Sequence, residues 1–562
     1  MKYLKTCLFV TVLTISLYAC KNQKTSTAFS IAELDLNRGP LLLCGDSEFG
    51  DVNFTLSCRY DLREAFNLGL SLIHSFEYAE AEKAFVSVLD EAPDCLMAYW
   101  GTAMSILNHP LSFNQNPKSL ERGEALLKIA NTLIPNNERE QDYIDAVSVY
   151  FKDWRTVDTK TRKLNYATKM EELYTKYPED VETAVFYSLA VLATSDPNDK
   201  TYSKQKKSGK ILEDLFIKFP NHPGIAHYII HNYDSPELAH LALEVARKYA
   251  VIAPASAHAQ HMPSHIFTRL GLWNESIRSN NDSANSAVCY AESVNPDATW
   301  VSEIHALDYL VYAYLQKGDN TRAELELEKV QSIKKIFPSN SYASAYALIA
   351  VPSRLAIENK DWKRATELQL PLTEMNWDKS YWPKAMLHFS KILGFSNLKN
   401  ISSAQEELTI LKTLHQELIK SEDFYKSGQV AIQINSGNAW IELAKGNSEK
   451  ALNFMLIASD LESKTSKHAV TPGEIIPADE LLADMYLALN KPKKALETYK
   501  LNLKGHPNRF NGLYGAAKAA QQINDSKQAT FYFQELITLC ESTNSNRPEL
   551  AEAKQFISKK LI

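Results

Sequence analysis

A spacing of 34 residues recurs along this chain and constrains its fold more than any other feature. Between Leu62 and Cys95, small residues stand at positions 8 (Gly69) and 20 (Ala81). Large residues stand at 11 (Leu72) and 24 (Phe85), and Pro93 stands at 32. A unit starting at Ile476 places Tyr486 at 11, Ala495 at 20 and Pro507 at 32. The next starts one period later at Phe510, with Ala517 at 8, Ala529 at 20 and Phe533 at 24. Pro220 and Pro254 keep the same interval in the middle of the chain, where units start at Pro223, Ala257 and, after an insertion near Val288–Thr299, Ile304. Weaker units cover Tyr346–Leu370 and Ile432–Glu462. Small residues let two helices approach closely, and the proline ends the second. Glycine is scarce, 18 of 562 residues, so tight hairpin turns are few, and no useful strand-like alternation appears.

The pattern resembles the tetratricopeptide repeat. That resemblance implies an all-α chain, an α-solenoid of paired helices whose concave face takes ligands, most often peptides or proteins. It divides the chain into an array at 58–345 and a second at 346–562. Net charge is −6 and the isoelectric point is near 6.2, which offers no footprint for nucleic acid.

The N-terminus reads as an address. Met1–Lys5 is basic, Thr6–Leu17 is apolar but too short to span a bilayer, and Leu17-Tyr18-Ala19-Cys20 turns polar at Lys21. This resembles a bacterial lipoprotein signal. The resemblance implies a signal peptide at 1–19, lipidation of Cys20 and an anchor segment at 20–57. The chain would then sit in the cell envelope, held to the membrane through Cys20. Lysine at 21 favours the outer membrane and a periplasmic face. In that oxidising compartment one disulfide among Cys44, Cys58 and Cys95 is expected, with the pairing open.

Of 14 histidines, eight lie between 222 and 305. In frames starting at Pro223, Ala257 and Ile304, His227 and His261 share position 5, while His231 and His265 share position 9. Within each unit the two are one helical turn apart, hence on one face. His258 and His305 share position 2, and Asp308 takes position 5 of the third unit. In the repeat family these positions face the groove. His227, His231, His258, His261, His265, His305 and Asp308 therefore form a candidate metal-ligand set suited to Zn, Fe, Ni or Cu. The competing reading is a hydrogen-bonding patch for an acidic or aromatic ligand. Pro263 must kink the second unit's first helix and could turn His261 away from His265. His240, on a second helix, reads as solvated.

The strings HPGIAHYIIHNYDSPELA (222–239), APASAHAQHMPSHIFTRLGLW (253–273) and EIHALDYLVYAYLQ (303–316) resemble a subgroup of exported bacterial tetratricopeptide proteins. So do LSLIHSFEYAEAEKAF (70–85) and CLMAYWGTAMSILNHP (95–110). This resemblance implies fold and export, and no reaction. It adds His74 and His109 as secondary candidates beside His222, at a helix start, and Glu303. Nucleotide-binding glycine loops, H-E-x-x-H and G-x-S-x-G are all absent. Trp100 and Trp273 read as core. Two functions stay open: a metal site, with or without catalysis, and a non-enzymatic adaptor for a peptide or envelope protein. Removing 476–562 is expected to cost stability and leave a metal site in place.

Overall fold

The structure, a computed structural model, describes residues 31–44, 48–108, 111, 116–196, 199–465 and 470–560. The leader, Cys20 and His109 lie outside the described residues. Two compact units form: 52–194 with 31–41, and 195–560 with 42–51. The division falls after Thr194, well before the boundary near 345 that repeat quality suggests, because it follows packing and not the strength of the repeat signal.

The N-terminal unit consists of α1 (Arg63–His74), α2 (Tyr78–Glu91), α3 (Leu96–Leu107), α4 (Pro117–Ala130), α5 (Glu138–Phe151), α6 (Thr159–Lys176) and α7 (Val181–Ala193). Phe85 is fully buried, and a Cβ on Gly69 would lie 2.7 Å from its ring. The small residue at position 8 is thus the space that the large residue at position 24 fills. Cys58 and Cys95 form a disulfide. Asp158 and Asp180 cap the starts of α6 and α7.

The second unit starts with α8 (Ser203–Phe216), α9 (Pro223–Tyr233), α10 (Ala239–Ile252), α11 (Ala257–His261) and α12 (Pro263–Arg269). The long α13 (Trp273–Val294) follows, then β1 (Thr299–Trp300), α14 (Val301–Gln316), α15 (Asn320–Ser332) and β2 (Ile336–Phe337), with β1 and β2 paired in parallel. Further helix pairs continue the stack as α16 (Tyr342–Glu358), α17 (Trp362–Glu367), α18 (Tyr381–Asn397) and α19 (Ile401–Lys420). Next come α20 (Phe424–Ala444), α21 (Ser448–Ser463), α22 (Ala478–Ala488) and α23 (Pro492–Gly505). The last are α24 (Phe510–Gln522), α25 (Ser526–Cys540) and α26 (Pro548–Lys560). Each expected repeat in this unit is a helix pair, and much of the insertion near 288–299 is simply the long end of α13. Among the described residues, no helix is long and apolar enough to cross a membrane.

Cys44 is bonded to Cys289, which ties segment 42–51 to α13, and Cys540 is free and buried. Sequence proximity could not suggest Cys289, because 245 residues separate it from Cys44.

The last repeats pack back on the turns of the central ones. Gly271 has φ +65° and lies so close to the Pro507 carbonyl that a Cβ would sit 2.5 Å from it. Beside it, the Trp273 indole donates to the Asn508 carbonyl at 2.7 Å, so this tryptophan packs between helices. Arg509 is fully buried and donates to Glu480 at 2.8 Å, to Glu358 at 2.7 Å and to the Tyr312 hydroxyl at 3.0 Å. Residues 476–562 therefore brace α14 and α16.

Arg509→Ala leaves Glu358 and Glu480, each 1% exposed, without their cation. Chemical denaturation should report a loss of about 3–5 kcal/mol in the second unit. A pH-dependent change is expected in the first unit at Lys163. Burial, with Arg162 adding repulsion, pushes its amine down to about 8. Between pH 8 and the unfolded value of 10.5 the unfolded chain binds more protons, so stability rises with pH there and the penalty is complete below pH 8. Lys163→Met should raise the melting temperature at pH 7, and the gain should shrink as the pH approaches 10.

Candidate functional site

The site is built where α9, α11, α12 and α14 meet. His222 starts α9: its Nδ1 accepts from the Ile225 N–H at 3.3 Å, which is a capping role. One turn and two turns later, α9 presents His227, fully buried, and His231, half-buried, with rings 4.7 Å apart. Tyr249 of α10 stacks on His227 at 5.2 Å and holds that ring from behind.

Ser256 caps α11 by accepting from the Ala259 N–H. The helix then breaks at Met262, because Pro263 has no N–H to continue the ladder and starts α12 instead. The break does not separate His261 from His265. Their Nε2 atoms lie 3.0 Å apart and both residues are buried. The anticipated turning away is absent because the break is tight: Met262 stays in helical geometry and the His265 N–H donates to its carbonyl.

Two trios result. His227, His231 and His258 form one and His261, His265 and His305 the other; within each, one nitrogen per residue lies within 4.8 Å of the others. His227 and His258 face each other Nε2 to Nε2 at 3.0 Å. The trios adjoin, with the His231 and His265 rings 6.4 Å apart and the His258 and His261 rings also 6.4 Å apart. One shared patch was expected, and the structure resolves it into two neighbouring centres.

Asp308 joins neither trio. It is buried and paired with Arg354 of α16, because a carboxylate taken from water binds the nearest cation. Even so, burial outweighs that cation and raises its carboxyl to about 6. Glu303 is half-buried in the first turn of α14, its carboxyl raised by burial, and lies outside both trios. His74 belongs to the N-terminal unit, where its Nε2 contacts Glu182 at 2.8 Å. His240 is exposed. Trp100 is 1% exposed within aromatic core.

Residues that sequence reasoning passed over orient the second trio. Asp234, three residues after His231, accepts from His265 Nδ1 at 2.9 Å and from Arg269 Nε at 3.1 Å. Burial would raise its carboxyl, but His265 and then Arg269 hold it below the usual range, so it is ionised. Asn280 of α13 sets its amide by donating to the Ser276 carbonyl, which turns Oδ1 toward His261 Nδ1 at 2.6 Å. Both Nδ1 atoms therefore carry the proton, and both Nε2 atoms present a lone pair. Tyr309, one turn after His305, places its hydroxyl 3.3 Å from His265 Nε2. Burial raises that phenol well above its usual value, so it stays protonated. Asp234 and Tyr309 had a legible signal, since each lies three or four residues from a candidate histidine. Asn280 had none.

Residues 470–477 run along the same region. Arg269, which holds Asp234, also donates to the Pro472 carbonyl at 3.3 Å. Arg354 donates to the Gly473 carbonyl at 2.7 Å, as does Tyr346 at 3.2 Å.

No family profile matches the chain, and no curated protein matches it. Among solved structures it is similar to a human IFIT1 dimer with m7Gppp-AAAA, at 12% identity and a TM-score of 0.33, covering 83% of this chain and 94% of that one. It is also similar to yeast Tom70, at 13% identity and a TM-score of 0.34, covering 89% and 96%. A third is the APC/C hetero-tetramer Cut9-Hcn1, at 13% identity and a TM-score of 0.32, covering 88% and 90%.

The tautomers are directly measurable. Long-range proton–nitrogen spectra of metal-free protein with labelled histidine should show His261 and His265 protonated at Nδ1. Asn280→Ala should release His261 from that form without moving His265.

Proposed function

We propose that this chain is an envelope-anchored helical-repeat protein whose histidine region binds a transition metal ion. The observation that carries the reading is the facing pair of Nε2 atoms on His261 and His265. With both Nδ1 protons committed to Asn280 and Asp234, two lone pairs meet at 3.0 Å. The Tyr309 hydroxyl, 3.3 Å from His265 Nε2, can donate to one of these lone pairs, whereas a cation beside the pair would engage both. A proton is a poor candidate: burial first, then His305, His265 and His258, lower His261 well below its usual value. A metal ion suits the geometry. Two bonds of roughly 2.0–2.1 Å at a tetrahedral angle put ligand nitrogens roughly 3.3 Å apart, close to what is present.

The group behind His265 points the same way. A carboxylate on the far nitrogen of a ligating imidazole fixes its orientation and raises its basicity, and Asp234 has that place on His265. Three histidines leave a fourth position of a tetrahedral ion for water or a substrate, the arrangement that permits metal-assisted chemistry. The adaptor reading has no comparable observation at this site, where Arg269 and Arg354 are buried and bonded to the Pro472 and Gly473 carbonyls.

Metal analysis of the purified chain tests this. Stoichiometric Zn, Fe, Ni or Cu is expected, with loss in His261→Ala/His265→Ala. Asp234→Asn should weaken metal affinity about 10–100-fold while retaining the ligands. A metal-free wild-type chain that takes up none of these ions on addition overturns the reading. Anchoring is tested separately: Cys20→Ser should abolish lipid labelling and release the protein from the membrane fraction.

A further inference from the structure

The two trios together define the occupant more narrowly than either does alone. Each supplies three imidazole nitrogens within 4.8 Å, and neither includes a carboxylate or a thiolate. Near Tyr309, which touches the second trio, Asp234 is paired with Arg269, and Asp308 with Arg354. The two trios thus offer six imidazole donors, and beside the second the carboxylates of Asp234 and Asp308 are each paired with an arginine.

That balance discriminates among ions. Repulsion between two ions scales with the product of their charges, so two divalent ions repel about four times as strongly as two monovalent ones at the same spacing. Partial burial adds a desolvation cost that also rises with charge. Paired divalent centres usually recruit carboxylates to offset both, and here Asp234, the carboxylate on His265 Nδ1, is engaged by His265 and Arg269. Zn(II) also seeks a fourth ligand at each position. A monovalent d10 ion is satisfied by three imidazoles and carries half the charge. Copper stands at the top of the divalent affinity order as well, so the same ligands retain it on oxidation.

We infer that the two trios hold a pair of copper ions, bound as Cu(I), one on His227, His231 and His258 and one on His261, His265 and His305. This rests on the metal-binding reading above and adds number, identity and ligand assignment. The two ions occupy neighbouring positions because His231 adjoins His265 and His258 adjoins His261, each pair of rings 6.4 Å apart.

The experiment is an anaerobic titration of the metal-free full chain with Cu(I) against a chromophoric chelator. Two Cu(I) per chain are expected in the wild type. His231→Ala and His305→Ala, substitutions at half-buried positions, should each retain one, and the double variant none. Circular dichroism and elution volume check that each variant is folded, and the wild-type stoichiometry stands without any variant. One Cu(I) per wild-type chain overturns the pair and leaves the single-metal reading intact; no binding of Cu(I), Zn(II), Fe(II) or Ni(II) overturns both. Displacement of both Cu(I) ions by equimolar Zn(II) overturns the copper assignment alone. Two Cu(I) retained in either single variant overturns the ligand assignment.

Discussion

One buried carboxylate links the chemistry of this protein to its architecture. Asp234 has a side chain 7% exposed and leaves α9 just after the helix ends. It stays ionised because His265 and Arg269, both from α12, offset the cost of burial. Through His265 it sets a lone pair toward the second trio. Through Arg269 it reaches the Pro472 carbonyl, so the orientation of the His265 ring is tied to where residues 470–477 lie. In a helical stack each repeat contacts mainly its neighbours. This carboxylate adds a directional link between sequence-distant parts of the second unit.

The break at Met262 shows how the repeat accommodates the site. A straight first helix, like α9, spaces His227 and His231 by one turn. Pro263 interrupts the corresponding helix of the next unit, yet the tight turn at Met262 brings His261 and His265 Nε2 to 3.0 Å. The added rigidity of a proline at a helix start and the clamp from Asn280 both limit the rotamers open to these histidines.

How much of this was legible can be judged residue by residue. The 34-residue interval located the helix pairs, and the shared positions 5 and 9 placed four histidines on one face, because helical periodicity is local. The same logic placed Asp308 beside them and could not see Arg354, which arrives from α16 and claims it. Position 2 correctly set His258 and His305 near the others, but not how they divide between two centres. That division depends on the approach of adjacent helices. Cys58–Cys95 was within reach of sequence proximity, whereas Cys44–Cys289 required the fold.

By itself, then, the sequence determined that the chain is helical, that its helices pair, and that histidines recur at matched positions. All three follow from the periodicity of the backbone and the size of the residues at the close approaches. Tertiary structure alone decided which nitrogens face each other, which carboxylate backs them, and which repeats brace the site. Those are distances between residues far apart along the chain, such as Arg509 against Glu358 or Asn280 against His261, and no local pattern encodes them.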